Sequence, residues 1–308
     1  MKAEETVDKR EALPQDGSGP CLCVTYLRAT ERAALAGARW LGRADQESAE
    51  EAAFSGMEAA LNLLPITGHV VIGAGDADAG PTLGGTVGGG GEEVDLALDP
   101  LEGRGVVARG GNGAISMIVV GEPGHLRRLP DMYMRTIAVG PWARATIGLL
   151  RPVGDNVRAI ADAFGRTVGD VTTIVLDRPR HHDLIEEIRG AGARIKLIQD
   201  GTVTAAISAA IRGTNDHLAI GIGGTRQAVL TAGALRCLGG ELQAQLWPTS
   251  RREIEAAQEH GIDDIEQVFT TEDLASGEII VAATGVSNGD LVLGGHGPSV
   301  PGRVLVAE

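Results

Sequence analysis

Apolar positions change their period along this chain. Between Arg28 and Leu64 they recur at helical spacing among Ala, Leu and Glu, in RATERAALAGARWLGRADQESAEEAAFSGMEAALNLL. That spacing predicts two helices separated near Gly42 to Ser48. Short, nearly continuous apolar runs follow: GHVVIGAG (68–75), VDLALDP (94–100), GAISMIVVG (113–121) and RTIAVG (135–140). Each reads as a buried strand, with DADAGPTLGGTVGGGGEE (76–93) as a glycine-rich loop between the first two. The expected sheet in this half is mixed or antiparallel. From about Arg151 strands and helices alternate. TTIVLDRPRH leads to HDLIEEIRGAG, RIKLIQDG to TVTAAISAAIRG, and HLAIGIGG to RQAVLTAGALRCLGG. Three strands feeding three helices predict a parallel α/β layer. Ligands of such layers gather at the carboxyl ends of the strands, which here carry Asp177 to His181, Asp200 to Thr202 and Gly221 to Gln227.

Composition narrows the picture. Hydrophobic residues make up 43% of the 308 positions, an ordinary share for a globular protein with a core. Aromatic residues are only 3%, so that core must be built from Ala, Val, Leu and Ile. The net charge of −14 argues against nucleic acid or an anionic membrane as partner. A phosphate site would therefore need local positive charge. No run reaches the ~20 apolar residues of a membrane span. Residues 1–20 are charged, lack the apolar segment of a signal peptide and read as a flexible arm. Cys21, Cys23 and Cys237 form no disulfide framework and are expected to be free thiols in a reducing, cytoplasmic setting.

One stretch carries candidate chemistry. In LALDPLEGRGV (96–106) an apolar run delivers Asp99 and Glu102 to a turn shaped by Pro100 and Gly103. Two carboxylates at that spacing suit a divalent cation that holds a phosphate. The next side chain, Arg104, is itself a cation.

At these residues the chain resembles a known family. ATERAALAGARWLGRAD, GHVVIGAG, DLALDPLEG, PDMYM, IAVGP, LDRPRH, IRGAGARIKLIQDG, GIGG, ALRCLGGELQ and AATGVSNGDL occur in order. Together they are similar to blocks of the class II fructose-1,6-bisphosphatases, including the fructose/sedoheptulose bisphosphatases, from about Arg28 to Gly294. The resemblance implies a layered α/β/α/β/α sugar-phosphatase fold and hydrolysis of a sugar-bisphosphate 1-phosphate with Mg²⁺ or Mn²⁺. It also implies a homodimer or homotetramer. The organisation expected is a flexible arm (1–20), an N-terminal subdomain with the metal site (21–152), and a C-terminal α/β subdomain that binds sugar phosphate (153–308).

The resemblance assigns metal positions to Glu50, Asp76, Asp99 and Glu102, with Glu50, Asp99, Glu102 and Arg104 at the catalytic positions. Substrate positions are Glu102, Gly103, Arg104, Tyr133, Arg178, Pro179, Arg180, Asp200, Gly201, Thr202, Gly224 and Arg226. Departures from the family pattern fall in the metal site. Ala74 and Gln227 stand where the family has glutamates, Arg104 stands where it has a threonine, and Arg226 is new. Carboxylates are lost and guanidiniums gained, which disfavours a divalent ion and leaves its retention open. Arg104 is expected to grip phosphate in the metal's stead, since an arginine binds phosphate bidentately but does not activate water as a metal does. The alternatives for Arg104 are solvent or a pairing with Glu102. Asp45, Asp76 and Asp78 form an alternative, displaced metal site. His181 and His182 are expected to cap a helix or face solvent. Three functions stay open at this point: a sugar-bisphosphate phosphatase with reduced or changed hydrolysis, a metal-independent isomerase, epimerase or lyase of specialised metabolism, and a non-catalytic sugar-phosphate sensor.

Overall fold

The computed structural model describes residues 22–73, 84–289, 291 and 304–307. Two helices open the chain, α1 (Leu22–Ala38) and α2 (Gln46–Leu61). They are followed by β1 (Ile66–Ile72), β2 (Thr86–Val87), β3 (Glu92–Glu102), the short α3 (Arg104–Ala108), β4 (Ile115–Gly121) and β5 (Tyr133–Val139). The alternating half contains α4 (Val153–Phe164), β6 (Thr172–Leu176), α5 (His182–Gly190), β7 (Arg194–Ile198), α6 (Thr202–Ala210), β8 (Leu218–Gly224) and α7 (Thr225–Leu238). The last elements are β9 (Glu241–Leu246), α8 (Arg251–Glu259), β10 (Val268–Thr270), α9 (Thr271–Leu274), β11 (Ile279–Gly285) and β12 (Val304–Ala307).

The strands form two six-stranded sheets. The first has the order β12-β11-β4-β3-β1-β2, in which only β1 and β3 run parallel. The mixed sheet expected for the first half is therefore present. The second has the order β10-β9-β5-β8-β6-β7. Here β8, β6 and β7 form the predicted parallel layer, but β5, β9 and β10 add antiparallel strands. The purely parallel layer is corrected to a mixed sheet, because β5 comes from the first half of the chain to pair with β8. In exchange β11, from the far end, pairs with β4 in the first sheet.

Burial separates five layers. The period-two alternation of β3 and β4 sends Leu96, Leu98 and Ile118 outward, where they pack with Ala33, Ala53 and Met57 of α1 and α2. The other face, with Ala97, Met117 and Val119, meets Val203 and Ile207 of α6 and Val229 and Leu230 of α7. The same two helices pack against Met134, Ile174 and Leu242 of the second sheet. On its far side that sheet packs Ile137, Val139 and Val175 against Val157 and Ile160 of α4 and Ile185 and Ile188 of α5. The order is α/β/α/β/α, as expected. The central helices bury most of their length, α6 from Val203 to Ala210 and α7 from Ala228 to Leu235, as a place between two sheets requires. No helix among the described residues is long and apolar enough to cross a membrane. The Cys237 thiol is half-buried and donates to the Ile279 carbonyl at 3.4 Å; Cys21 and the Cys23 side chain lie outside the described residues.

Candidate functional site

The site is built where the carboxyl ends of β3, β6, β7 and β8 converge. Between Asp99 and Glu102 the pairing of β3 with β4 slips: Asp99 lies opposite Met117 and Glu102 opposite Ile115. Pro100 falls inside this bulge, where its missing N–H costs no ladder bond. Gly103 then turns the chain with φ 92°, a left-handed conformation that suits glycine, and α3 begins at Arg104. The result is that Asp99 and Glu102 are both buried in the interior of the cleft.

Asp99 Oδ1 accepts the Leu101 N–H at 3.2 Å, while its Oδ2 is buried without a hydrogen-bond donor. Glu102 Oε1 accepts the Val203 N–H at 3.2 Å, at the amino end of α6. Burial, and then the charges of Asp99 and Asp200, drive the Glu102 carboxyl well above the ordinary carboxylate range. A proton on Glu102 also lets it hydrogen-bond to Asp99, which raises it further.

Two guanidiniums meet these carboxylates. Arg226, in the first turn of α7, places Nε 3.7 Å from Asp99 Oδ2. Its positive form is held foremost by Asp99, and also by Glu102, Glu50 and Asp131. Arg104 Nη1 lies 2.5 Å from Glu50 Oε2, and its side chain is more than half exposed. The alternative pairing of Arg104 with Glu102 is corrected to one with Glu50. The reason is that α2 carries Glu50 to the cleft edge, whereas Glu102 points inward to α6.

The substrate positions gather at the neighbouring strand ends. Tyr133 begins β5 opposite Gly224, and the Arg180 guanidinium lies 5.0 Å from the centre of its ring. Arg180 Nη2 also donates to the Ile222 carbonyl at 3.1 Å. Arg178 donates to the carbonyls of Asp177 and Gln199. Pro179 opens the single turn that orients this pair. Asp200 accepts its own neighbour's amide, Gly201 N–H, at 3.0 Å. Gly201 adopts φ 87° and Thr202 starts α6. Thus Glu50, Asp99, Glu102, Gly103, Arg104 and Arg226 form one wall, and Tyr133, Arg178 to Arg180, Asp200 to Thr202 and Gly224 the other. Asp200 connects the walls through its charge on Glu102.

Asp45, one of the alternative metal ligands, caps α2: its carboxylate accepts the Ser48 N–H at 3.0 Å. His181 stands at the N-cap position of α5, as expected, but its side chain makes no cap bond and does not face solvent. It is buried, its Nδ1–H donates to the Leu176 carbonyl, and its Nε2 accepts the Ile222 N–H at 2.8 Å. Gly221 makes the room, since a Cβ there would sit 3.1 Å from His181 Nε2. His182 is exposed, as expected. Ala74, Asp76 and Asp78 lie outside the described residues. Among the described residues no three His, Cys, Asp or Glu side chains converge as metal ligands. Sequence reasoning missed Asp131, one of the carboxylates around Arg226, because nothing in PDMYM marks that aspartate as close to α7.

The chain matches the family model described as bacterial fructose-1,6-bisphosphatase, glpX-encoded, over residues 21–297. Among curated proteins it is similar to two enzymes named D-fructose 1,6-bisphosphatase class 2/sedoheptulose 1,7-bisphosphatase from Synechococcus. The one from strain JA-3-3Ab is 40% identical over 301 residues, covering 89% of this chain and 87% of the relative. The one from strain JA-2-3B'a(2-13) is 39% identical over 304 residues, with the same coverage. A protein of the same name from Crocosphaera subtropica is 37% identical over 301 residues.

Proposed function

This chain belongs to the family of bacterial, glpX-encoded fructose-1,6-bisphosphatases, and from that premise we propose that it binds a sugar phosphate or bisphosphate in the cleft between its sheets, with metal-dependent hydrolysis reduced or changed. The observation that carries the second half is the seat of Arg226 on Asp99, with Glu50 already taken by Arg104. At that separation two unit charges attract by about 4 kcal/mol at an effective dielectric of about 20. A divalent ion entering beside Arg226 must give up or displace that attraction and face a like charge.

The fit to Mg²⁺ or Mn²⁺ can be judged from the donors. Asp99 and Glu102 are hard oxygen donors of the right type, and the bare Asp99 Oδ2 is aimed at a cation. That cation is already supplied by Arg226, and Glu50 is engaged elsewhere. The described donors therefore fit a guanidinium better than an octahedral ion, and we route no step through a metal. The substrate wall supports the first half of the proposal. Arg180 over Tyr133, Arg178 beside Asp200 and the Gly224 turn offer two cations and an exposed ring to a phosphate-bearing sugar. The relatives' names make fructose 1,6-bisphosphate and sedoheptulose 1,7-bisphosphate the first ligands to try. A cytoplasmic homodimer or homotetramer completes the proposal.

Calorimetry in EDTA should detect binding of one of these sugar phosphates, weakened in Arg180→Ala by about 1.5–3 kcal/mol. Phosphate release with Mg²⁺ or Mn²⁺ should be feeble; turnover at ordinary enzymatic rates would defeat the reduced-hydrolysis reading. Restoring the family residues together, with Ala74→Glu, Arg104→Thr, Arg226→Pro and Gln227→Glu, should raise Mn²⁺ affinity first and hydrolysis second. The single ligand reversions Ala74→Glu and Gln227→Glu should do little, since one added ligand beside an unrelieved guanidinium does not complete a shell.

A second reading is a metal-independent isomerase, epimerase or lyase. It is favoured by the buried Asp99–Glu102 pair, in which burial and the neighbouring carboxylates push the Glu102 carboxyl well above the ordinary range, toward the acid form that proton transfer uses. Exchange of a sugar-phosphate C–H with deuterated solvent, lost in Glu102→Gln, is the outcome that reading requires.

A further inference from the structure

A cavity of about 550 Å³ opens beside Asp200, between the end of β7, the start of α6 and the loop that follows α3. Its polar lining includes Arg109, Asn112, Lys196, Gln199, Asp200 and Thr204. That volume falls in the range of sites for small organic ligands, and amides, a hydroxyl and cations are the groups that hold a phosphorylated polyol.

Arg109 is the unusual member. Among the described residues its guanidinium makes no hydrogen bond and no ion pair. It folds back over Gly105, four residues earlier and one helical turn away. A Cβ on Gly105 would lie 3.3 Å from Arg109 Nη1, 3.5 Å from Nη2 and 3.3 Å from Asp200 Oδ2. The guanidinium and the carboxylate therefore face one another across a bare glycine, at most twice that distance apart, without pairing. A gap of this kind suits a ligand whose phosphate accepts from Arg109 and whose hydroxyl donates to Asp200.

The other flank of the same strand end is also cationic. Arg178 donates to the carbonyl of Gln199, the residue before Asp200. Arg178 thus sits at the same strand end as Asp200, outside the chamber that Arg109 lines. A sugar with one phosphate needs one such cation, whereas a sugar with a phosphate at each end uses both, with its hydroxyls between them on Asp200. We infer that Arg109 is a specificity residue that grips the second phosphate of a sugar bisphosphate in the chamber beside Asp200. The inference rests on the sugar-phosphate reading given above and adds to it the preference for two phosphates over one.

The test is calorimetry on the full chain in EDTA with fructose 1,6-bisphosphate and with fructose 6-phosphate. Arg109→Ala should weaken the bisphosphate about ten- to a hundredfold, as for loss of a charge-assisted bond. The monophosphate should change by less than about threefold, the scale of a remote exposed charge. The two dissociation constants should converge. Gly105→Ala is a second probe, because its methyl meets both the Arg109 guanidinium and Asp200 Oδ2 without asking for a new backbone conformation. It should weaken the bisphosphate more than the monophosphate, and Arg109→Lys should give an intermediate convergence. A folded Arg109→Ala, checked by its melting curve, that keeps the parent's bisphosphate affinity overturns the inference. Equal losses for both ligands overturn it too. A parent that binds neither sugar phosphate removes the proposed function and this inference together, whereas a parent that binds both with unaltered variants removes the inference alone.

Discussion

His181 shows how one side chain supports the cleft from behind. It joins β6 to β8 as a neutral imidazole, with a proton on Nδ1 and a lone pair on Nε2. Burial lowers its pKa below the ordinary 6.5, and the nearby charges of Arg180 and Arg178 add to the effect. The folded state therefore refuses a proton that the unfolded chain accepts. The stability this contributes is complete above pH 6.5 and falls as pH drops toward the lower folded value. Urea midpoints between pH 7.5 and 5.5 should decline less in His181→Gln than in the parent. The pKa of His217 is lowered as well, but that residue is common to both proteins and cancels. Equal slopes would show that His181 titrates normally. Arg226 supports a second prediction at this scale. Arg226→Met leaves Asp99 buried beside Glu102 without its cation, and should cost about 1–3 kcal/mol of stability. Because the lost charge is the one a metal would supply, Mn²⁺ should raise the melting temperature of Arg226→Met and leave the parent unmoved. Melting curves with and without Mn²⁺ decide it: a variant indifferent to the ion means that Arg226 is not standing in the cation's place.

Among the elements, α7 is closely seated, and it is the element that aims Arg226. A Cβ on Gly233 would lie 2.5 Å from Val119 Cγ1 and 3.0 Å from its Cγ2. Val119 is fully buried, and both of its methyls face the new atom, so no rotation relieves the clash. Gly233→Ala gains about 1 kcal/mol of helix propensity but overpacks the central layer at a cost of about 1–3 kcal/mol. The packing term should win. A urea series on Gly233→Ala, Val119→Ala and the double variant should show the double to be more stable than the sum of the single losses allows. Additive losses would mean that the two residues do not oppose one another. Elements also differ in how readily they are read from sequence. The first two helices and the seven predicted strands stand close to where apolar spacing puts them. The helix α4 and the strand β11, absent from the expected elements, also carry local signals: Val153, Val157, Ile160 and Ala161 form a buried face between Pro152 and Gly165, and IIVAATG is a continuous apolar run. By contrast, β2 is two residues long and had almost none.

At the scale of the molecule, the two sheets trade strands. β5 precedes residue 152 but sits inside the second sheet, between β9 and β8. β11 follows residue 152 but sits beside β4 in the first sheet, with Val281 and Ala283 in the central apolar layer. A chain cut at 152 leaves β5 with both of its partners on the other piece, and β11 with only the four-residue β12 on its own. The pieces 1–152 and 153–308 are therefore expected to stay unfolded when expressed apart and to gain helical circular dichroism when mixed. A piece that folds cooperatively alone would instead support independent subdomains. The reason for expecting otherwise is that an unpaired strand exposes both its backbone donors and its apolar face.

The sequence by itself determined the element types over most of the chain, the small-residue core, and the ordered blocks that carry the family and its fold. It also held the substitutions themselves, since Arg104, Arg226 and Gln227 are local facts of composition. It did not determine what those arginines meet. Glu50 and Arg104 are 54 positions apart in the chain, and Asp99 and Arg226 are further apart still. Whether such groups pair depends on the layering of helices on sheets, which sets their distance and removes the water that would otherwise screen them. The same holds for His181, whose two partners lie on different strands, and for Arg109, whose reach depends on the missing Cβ of Gly105 and on the distant Asp200. Periodicity is written in neighbouring residues, whereas charge pairing and cavities are made by residues that only folding brings together.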